Sequence, residues 1–225
     1  MAASPIHLGL KEWQAGGILI DMTTAAVKPP VRFKFDPERF VASLAFFASH
    51  IKGLDKLKAA KLLYYADKYH LIRYGKPILG DVYYHLDYGP VPSKALDIMN
   101  EAIDPYRLRG IPQSNLELLK KYLKIDSEEK THPIFEAKTG PDLEVFSESE
   151  LEALHETVKR YGHYSGRQLI DLTHQEAPWL KTERNEEIDY RLFFEGANDA
   201  NPEAAEYLES LREHMDVMFS LAAPS

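Results

Sequence analysis

The segment from Asp55 to Gly75 constrains this chain more than any other. Its polar residues point in nearly every direction around a helix, while Leu57, Ala60, Leu63, Ala66 and Leu71 fill much of the remaining surface. A helix that is apolar almost all round is central and buried. The spacing predicts this helix from about Asp55 to Tyr74, stopped by Gly75. One central helix requires several others to cover it.

The flanking sequence supplies them. Asp36-Pro37 is a helix start, with Asp as N-cap and Pro at the first helical position. Phe40, Leu44, Phe47 and Ile51 follow at helical spacing, and Gly53 is expected to end the element. Pro92-Ser93 opens a helix through Ala95, Ile98, Met99 and Ala102. Three capping boxes are legible: Ser114 with Glu117, Ser147 with Glu150, and Ser165 with Gln168. A short helix is expected near Asp189–Phe194. A last amphipathic helix follows Asn201-Pro202, with Leu208, Leu211, Met215 and Phe219 on one face.

Strand signals are fewer. Ile78–Leu86 is rich in β-branched and aromatic residues and reads as an extended segment or strand, broken by Gly89-Pro90. Ile134–Ala137 and Leu143–Val145 flank Thr139-Gly140-Pro141 and read as a hairpin. With no alternating strand–helix pattern, a doubly wound sheet is not expected. The reading is a mainly α fold: a compact multi-helix single domain with a small two- to three-stranded β element. Residues 1–30, with Gly16-Gly17 and Pro29-Pro30, read as a flexible leader, residues 31–200 as the domain, and residues 201–225 as a C-terminal amphipathic helix.

Composition narrows the function. With no cysteine, disulfide scaffolds, thiolate zinc sites and cysteine nucleophiles are excluded, and a cytoplasmic address fits. The longest apolar runs, Leu44–Ala48 and Leu62–Ala66, fall far short of the roughly 20 residues a membrane span needs. Residues 1–125 carry 18 Lys and Arg against 12 Asp and Glu, whereas residues 126–225 carry 9 against 23. The net charge of −8 argues against general nucleic-acid binding, which needs clustered cations, and no helix-turn-helix signature is present.

Neither a phosphate-cradling glycine loop nor a Gly-x-Ser-x-Gly elbow is present. Asp67 and His70 lie three apart on the central helix, and Asp81, His85 and Asp87 share one side of a regular strand. They could form a hard-ligand metal site, but no second paired motif completes one. Hydrogen-bonded structural roles are the expectation, with no metal and no cofactor. The minor alternatives are a nucleic-acid-binding regulator of its own operon, acting through the basic first half, and a metal-dependent enzyme using Asp67, His70, Asp81 or His85.

Two stretches are more specific. On the central helix Lys58, Lys61, Tyr65 and Lys68 lie near one face. Lysines interleaved with tyrosine can grip an acidic protein or a nucleic-acid backbone. The ordinary reading packs the tyrosine rings in the core and sends the lysine stems outward. The second stretch, Asp87-Tyr88-Gly89-Pro90-Val91-Pro92, is rigid turn chemistry suited to presenting a recognition surface.

In this order, these stretches resemble the Panacea domain family, the SocA-like or GepA-type, phage-associated antitoxins. The matching pieces are Lys61-Leu62-Leu63-Tyr64-Tyr65-Ala66-Asp67, Gly75-Lys76-Pro77-Ile78 and Tyr88-Gly89-Pro90-Val91. They continue with Ser147-Glu148-Ser149-Glu150, Tyr161-Gly162, Ser165, Leu169-Ile170-Asp171-Leu172-Thr173-His174 and Pro178-Trp179. The resemblance spans about 70% of the chain, from Phe35 to Phe194. It implies a helical, non-enzymatic antitoxin that neutralises a toxin encoded next to it by direct binding. The SocA branch implies an alternative, an adaptor that delivers the toxin to a Clp-type protease. The residues expected to touch the toxin are Lys58, Lys61, Tyr64, Tyr65, Asp67, Lys68, Tyr88, Gly89, Pro90, Val91, His174 and Trp179.

Overall fold

A computed structural model describes residues 30–104, 106, 110–126 and 132–222. The expected leader over 1–30 lies outside the described residues except for Pro30. The helices are α1 (Pro37–His50), α2 (Lys56–Tyr74), α3 (Ser93–Ile103), α4 (Gln113–Tyr122), α5 (Glu148–Tyr161), α6 (Gly166–Thr173), α7 (Ala177–Leu180) and α8 (Pro202–Ala222), with a 3-10 turn at Tyr190–Phe193. The strands are β1 (Leu54–Asp55), β2 (Tyr83–Leu86), β3 (Gly89–Pro92), β4 (Leu123–Asp126) and β5 (Ile134–Ala137). The domain is mainly α, with one three-stranded and one two-stranded antiparallel sheet. Among the described residues no helix is long and apolar enough to cross a membrane.

As its composition predicts, α2 is the central helix, packed by α1, α3, α5, α6, α8 and β3. Fourteen of its nineteen residues are buried. Asp55 caps its start by accepting from the Lys58 amide, and Gly75 closes it in the left-handed conformation. On α1, Asp36 accepts from the Glu38 and Arg39 amides, and Phe40, Leu44 and Phe47 are fully buried. α1 ends at His50, earlier than Gly53, because the chain turns at Ile51 to enter β1. The boxes at Ser147 and Ser165 are both formed. The one expected at Ser114 is not: α4 begins at Gln113 behind Pro112, without a side-chain cap.

Two strand expectations are corrected. Within Ile78–Leu86 only Tyr83–Leu86 is strand. The Ile78 and Leu79 amides donate to the Asp67 carboxylate, at 2.9 Å each, and the Leu79 carbonyl accepts from the Asp36 amide. Those backbone groups are satisfied without a neighbouring strand. Gly89-Pro90 does not break the sheet; it begins β3. Leu86 pairs with Gly89 across a two-residue turn, so the next pair, His85 with Pro90, is one whose backbone groups point away from each other. Pro90 and Pro92 therefore cost the ladder no donor. The opposite edge of β2 is held by residues 185–188: His85 donates to the Glu186 carbonyl, and Asn185 and Ile188 donate to the His85 and Tyr83 carbonyls.

The expected hairpin of Ile134–Ala137 with Leu143–Val145 is also corrected. β5 pairs with β4 on one side and β1 on the other. Leu123 and Phe135 carry the apolar side of that sheet into the core, while Leu143 stays 43% exposed. The last helix docks through Ala204 and Leu208, which are buried, with Leu211 and Met215 half-buried against the core.

Candidate functional site

The lysine–tyrosine face of α2 exists, but it points inward against α5, α6 and the β2–β3 hairpin. The Lys58 ammonium donates to the Gly162 carbonyl at 2.7 Å, where α5 ends. Lys61, with no exposed surface, donates to the Pro90 carbonyl at 2.7 Å. Lys68 pairs with Glu176 at 2.9 Å. The expected outward lysine stems are thus corrected. Elements crowd this side of α2, and carbonyls with no ladder partner need donors there. Tyr65 stacks on Tyr161 at 3.8 Å, and the Tyr64 hydroxyl donates to Glu176 at 2.6 Å.

Burial pushes Lys61 down to about 7, since its ammonium is stripped of water and faces a carbonyl but no carboxylate. Burial lowers Lys58 as well, partly opposed by Asp55. Asp67 is fully buried and accepts from Ile78, Leu79 and, at 3.0 Å, the Tyr83 hydroxyl. Burial lifts it to about 7 against these three bonds.

The remaining metal candidates are likewise committed to structure. His70 is held between the Lys76 carbonyl and the Ser149 hydroxyl. Asp81 accepts from the Val82, Lys94 and Ala95 amides at the start of α3. His85 meets the Thr182 carbonyl, and Asp87 pairs with Arg184 at 2.8 Å. Among the described residues no group of three or more His, Cys, Asp or Glu could hold a metal ion.

What these anchors build is a presented turn. Gly89 sits at φ +92; a Cβ there would stand 2.6 Å from the Thr173 hydroxyl and 2.8 Å from the Lys61 nitrogen. Only glycine lets the hairpin lie this close to α2 and α6. Trp179 clamps the other side, donating its indole N–H to the Leu86 carbonyl at 3.2 Å. It stacks on His174 at 3.9 Å and leans against His85 at 4.6 Å. Burial, then the Lys61 charge, lowers His174.

With Gly89, Pro90 and Val91 buried, Tyr88 stands at the hairpin tip, 62% exposed. Leu180, directly after Trp179, is also 62% exposed. It lines a cleft of about 340 Å³ with Lys68, Glu176, Ala177 and the paired Lys181 and Glu195. A second cleft, of about 400 Å³, shares Lys68 and Gly196 and continues to Tyr65, Tyr161 and Arg160.

Of the residues expected to touch a toxin, Tyr88, Lys68, His174 and Trp179 reach this surface. Lys58, Lys61, Tyr64, Tyr65, Asp67, Gly89, Pro90 and Val91 lie beneath or behind it and hold it in place. Leu180 and Lys181 are missed by the sequence reading. The visible signal is Ala177-Pro178, a proline-started turn directly after the His174 segment.

Comparison with known proteins adds one match. A family model described as antitoxin SocA-like, Panacea domain, matches residues 60–180, which contain the hairpin, α6 and α7. Neither curated proteins nor solved structures give a match.

Proposed function

Since the chain belongs to the SocA-like antitoxin family with its Panacea domain, we propose that it neutralises a protein toxin, encoded beside it, by binding it directly. The observation that carries this reading is the pair of large apolar side chains, Tyr88 and Leu180, on a rigid frame. Tyr88 is fixed by the Lys61–Pro90 and Trp179–Leu86 bonds, and Leu180 by the short helix that Trp179 belongs to. Exposed aromatic and apolar anchors on preorganised backbone are how protein interfaces concentrate affinity.

On this reading Tyr88, His174, Trp179, Leu180 and Lys68 form the contact face. Lys58, Lys61, Tyr64, Tyr65, Asp67, Gly89, Pro90 and Val91 position it. Residues 31–200 form the working domain, 1–30 a leader and 201–225 an accessory helix. The protein acts in the cytoplasm, by binding and without a cofactor.

Co-expression with the adjacent gene tests the reading. The expected result is restored growth, together with a complex that survives purification at constant toxin level. No complex and no rescue would refute it. Rescue accompanied by toxin loss, seen only when a Clp-type protease is present, would replace simple sequestration with delivery.

A further inference from the structure

The outer edge of β5 is only half covered. β1 is two residues long and pairs Leu54 with Phe135 and Asp55 with Ile134. Before Leu54 the chain leaves the sheet at Gly53, whose φ is +67. On the other side, β4 runs alongside all of β5, and the Lys138 amide donates to the Tyr122 carbonyl at 2.8 Å. Successive residues of an antiparallel strand direct their N–H and C=O to opposite sides. Lys138, Glu136 and Ile134 therefore address β4, and Phe135 and Ala137 address the outer edge. Leu54 takes Phe135. Among the described residues Ala137 has no backbone partner on that edge.

There is room for one. A cleft of about 670 Å³ lies there, walled by Ala48, Ser49, Ile51 and Lys52 at the end of α1 and by residues 135–140. Ile51 and Phe135, both buried, give it an apolar floor. Lys52 is exposed at its rim, with no carboxylate partner among the described residues.

We infer that this edge takes an extended segment of the protein partner, laid along β5 in line with β1, with a carboxylate side chain meeting Lys52. One outward donor and one outward acceptor on the same residue match a peptide backbone. Strand addition of this kind draws affinity from main-chain bonds and selectivity from the flanking side chains. The inference rests on the antitoxin reading, and it gives the toxin a second contact, separate from Tyr88 and Leu180.

The test uses the full chain, the product of the adjacent reading frame, and short overlapping peptides tiled across that product. The whole product and at least one acidic, extended peptide should slow exchange of the Ala137 amide, read by NMR, by roughly tenfold or more. Ala137→Pro removes the donor and should weaken that peptide roughly tenfold, whereas Ala137→Val keeps the donor and should bind as the natural chain does. Lys52→Glu should weaken it too. If Ala137→Pro does not fold, amide protection in the natural chain and the Lys52→Glu result still decide. Binding of the product with the Ala137 amide unprotected overturns the edge inference and leaves the antitoxin reading standing. No binding at all overturns both. Protection that depends on the concentration of this chain alone assigns the edge to a second copy and also refutes the inference.

Discussion

The Lys61 ammonium donates to the Pro90 carbonyl at 2.7 Å, and this bond, with that from Tyr83 to Asp67, ties the central helix to the hairpin that displays Tyr88. A lysine with no exposed surface and no carboxylate partner is an expensive way to make one bond. Its cost varies with pH in a way that can be measured.

Lys61 titrates near 7 in the folded chain, below its ordinary 10.5. Below about pH 7 both folded and unfolded forms carry the proton, and the folded form bears the full desolvation penalty. Between about 7 and 10.5 the unfolded chain binds more protons, so this group makes stability rise with pH. Lys61→Met keeps the stem and removes the charge. Urea unfolding from pH 7 to 9 should show a flatter profile in Lys61→Met than in the natural chain. Parallel profiles would mean that Lys61 keeps its ordinary affinity for the proton.

Asp67 gathers three donors: the Ile78 and Leu79 amides, and the Tyr83 hydroxyl, which also reaches the Leu63 carbonyl at 3.4 Å. Asp67→Ala strands both amides in the core and leaves the Tyr83 hydroxyl only the longer bond to Leu63, and should cost about 3–5 kcal/mol of unfolding free energy. Asp67→Asn retains an acceptor for the amides and should cost less than half as much. Asp67→Asn should also remove a fall in stability between about pH 4 and 7. Burial raises the folded carboxyl to about 7, so the unfolded chain loses its proton first as pH rises.

Gly89→Ala tests the close approach. The added carbon would meet the Thr173 hydroxyl and the Lys61 nitrogen inside contact distance, on backbone at φ +92. We expect a loss of about 2–4 kcal/mol and a weaker grip on the toxin. Gly140→Ala, whose added carbon would have nothing within 4 Å, should change stability by no more than about 0.5 kcal/mol.

The buried architecture was legible where periodicity and capping agree. Asp36-Pro37, the Asp55–Gly75 helix and the boxes at Ser147 and Ser165 all carry their own local chemistry, and each forms as read. Strand partners were less legible. β5 finds β4 and β1 rather than Leu143–Val145, a choice made by long-range packing of Phe135 and Leu123. Pro90 disguised a strand as a turn, because proline is tolerated at positions whose donor leaves the ladder. The direction of the lysine face was hidden for a related reason. Offsets along α2 show which residues share a face, but not that Gly162 and Pro90 wait opposite with unpartnered carbonyls. Leu180 was missed because an exposed leucine has no pattern of its own; only the fold puts it on the cleft with Lys68 and Glu176.

The most direct measurement is calorimetric titration of the adjacent gene product into the natural chain and into a Tyr88→Asp, Leu180→Asp variant. Both positions are 62% exposed, so the variant should melt as the natural chain does, within about 0.5 kcal/mol. Tight, saturable binding by the natural chain and a loss of roughly 100-fold or more in the variant is the predicted result. Equal affinity for both proteins would contradict the assignment of this face as the place where the toxin is held.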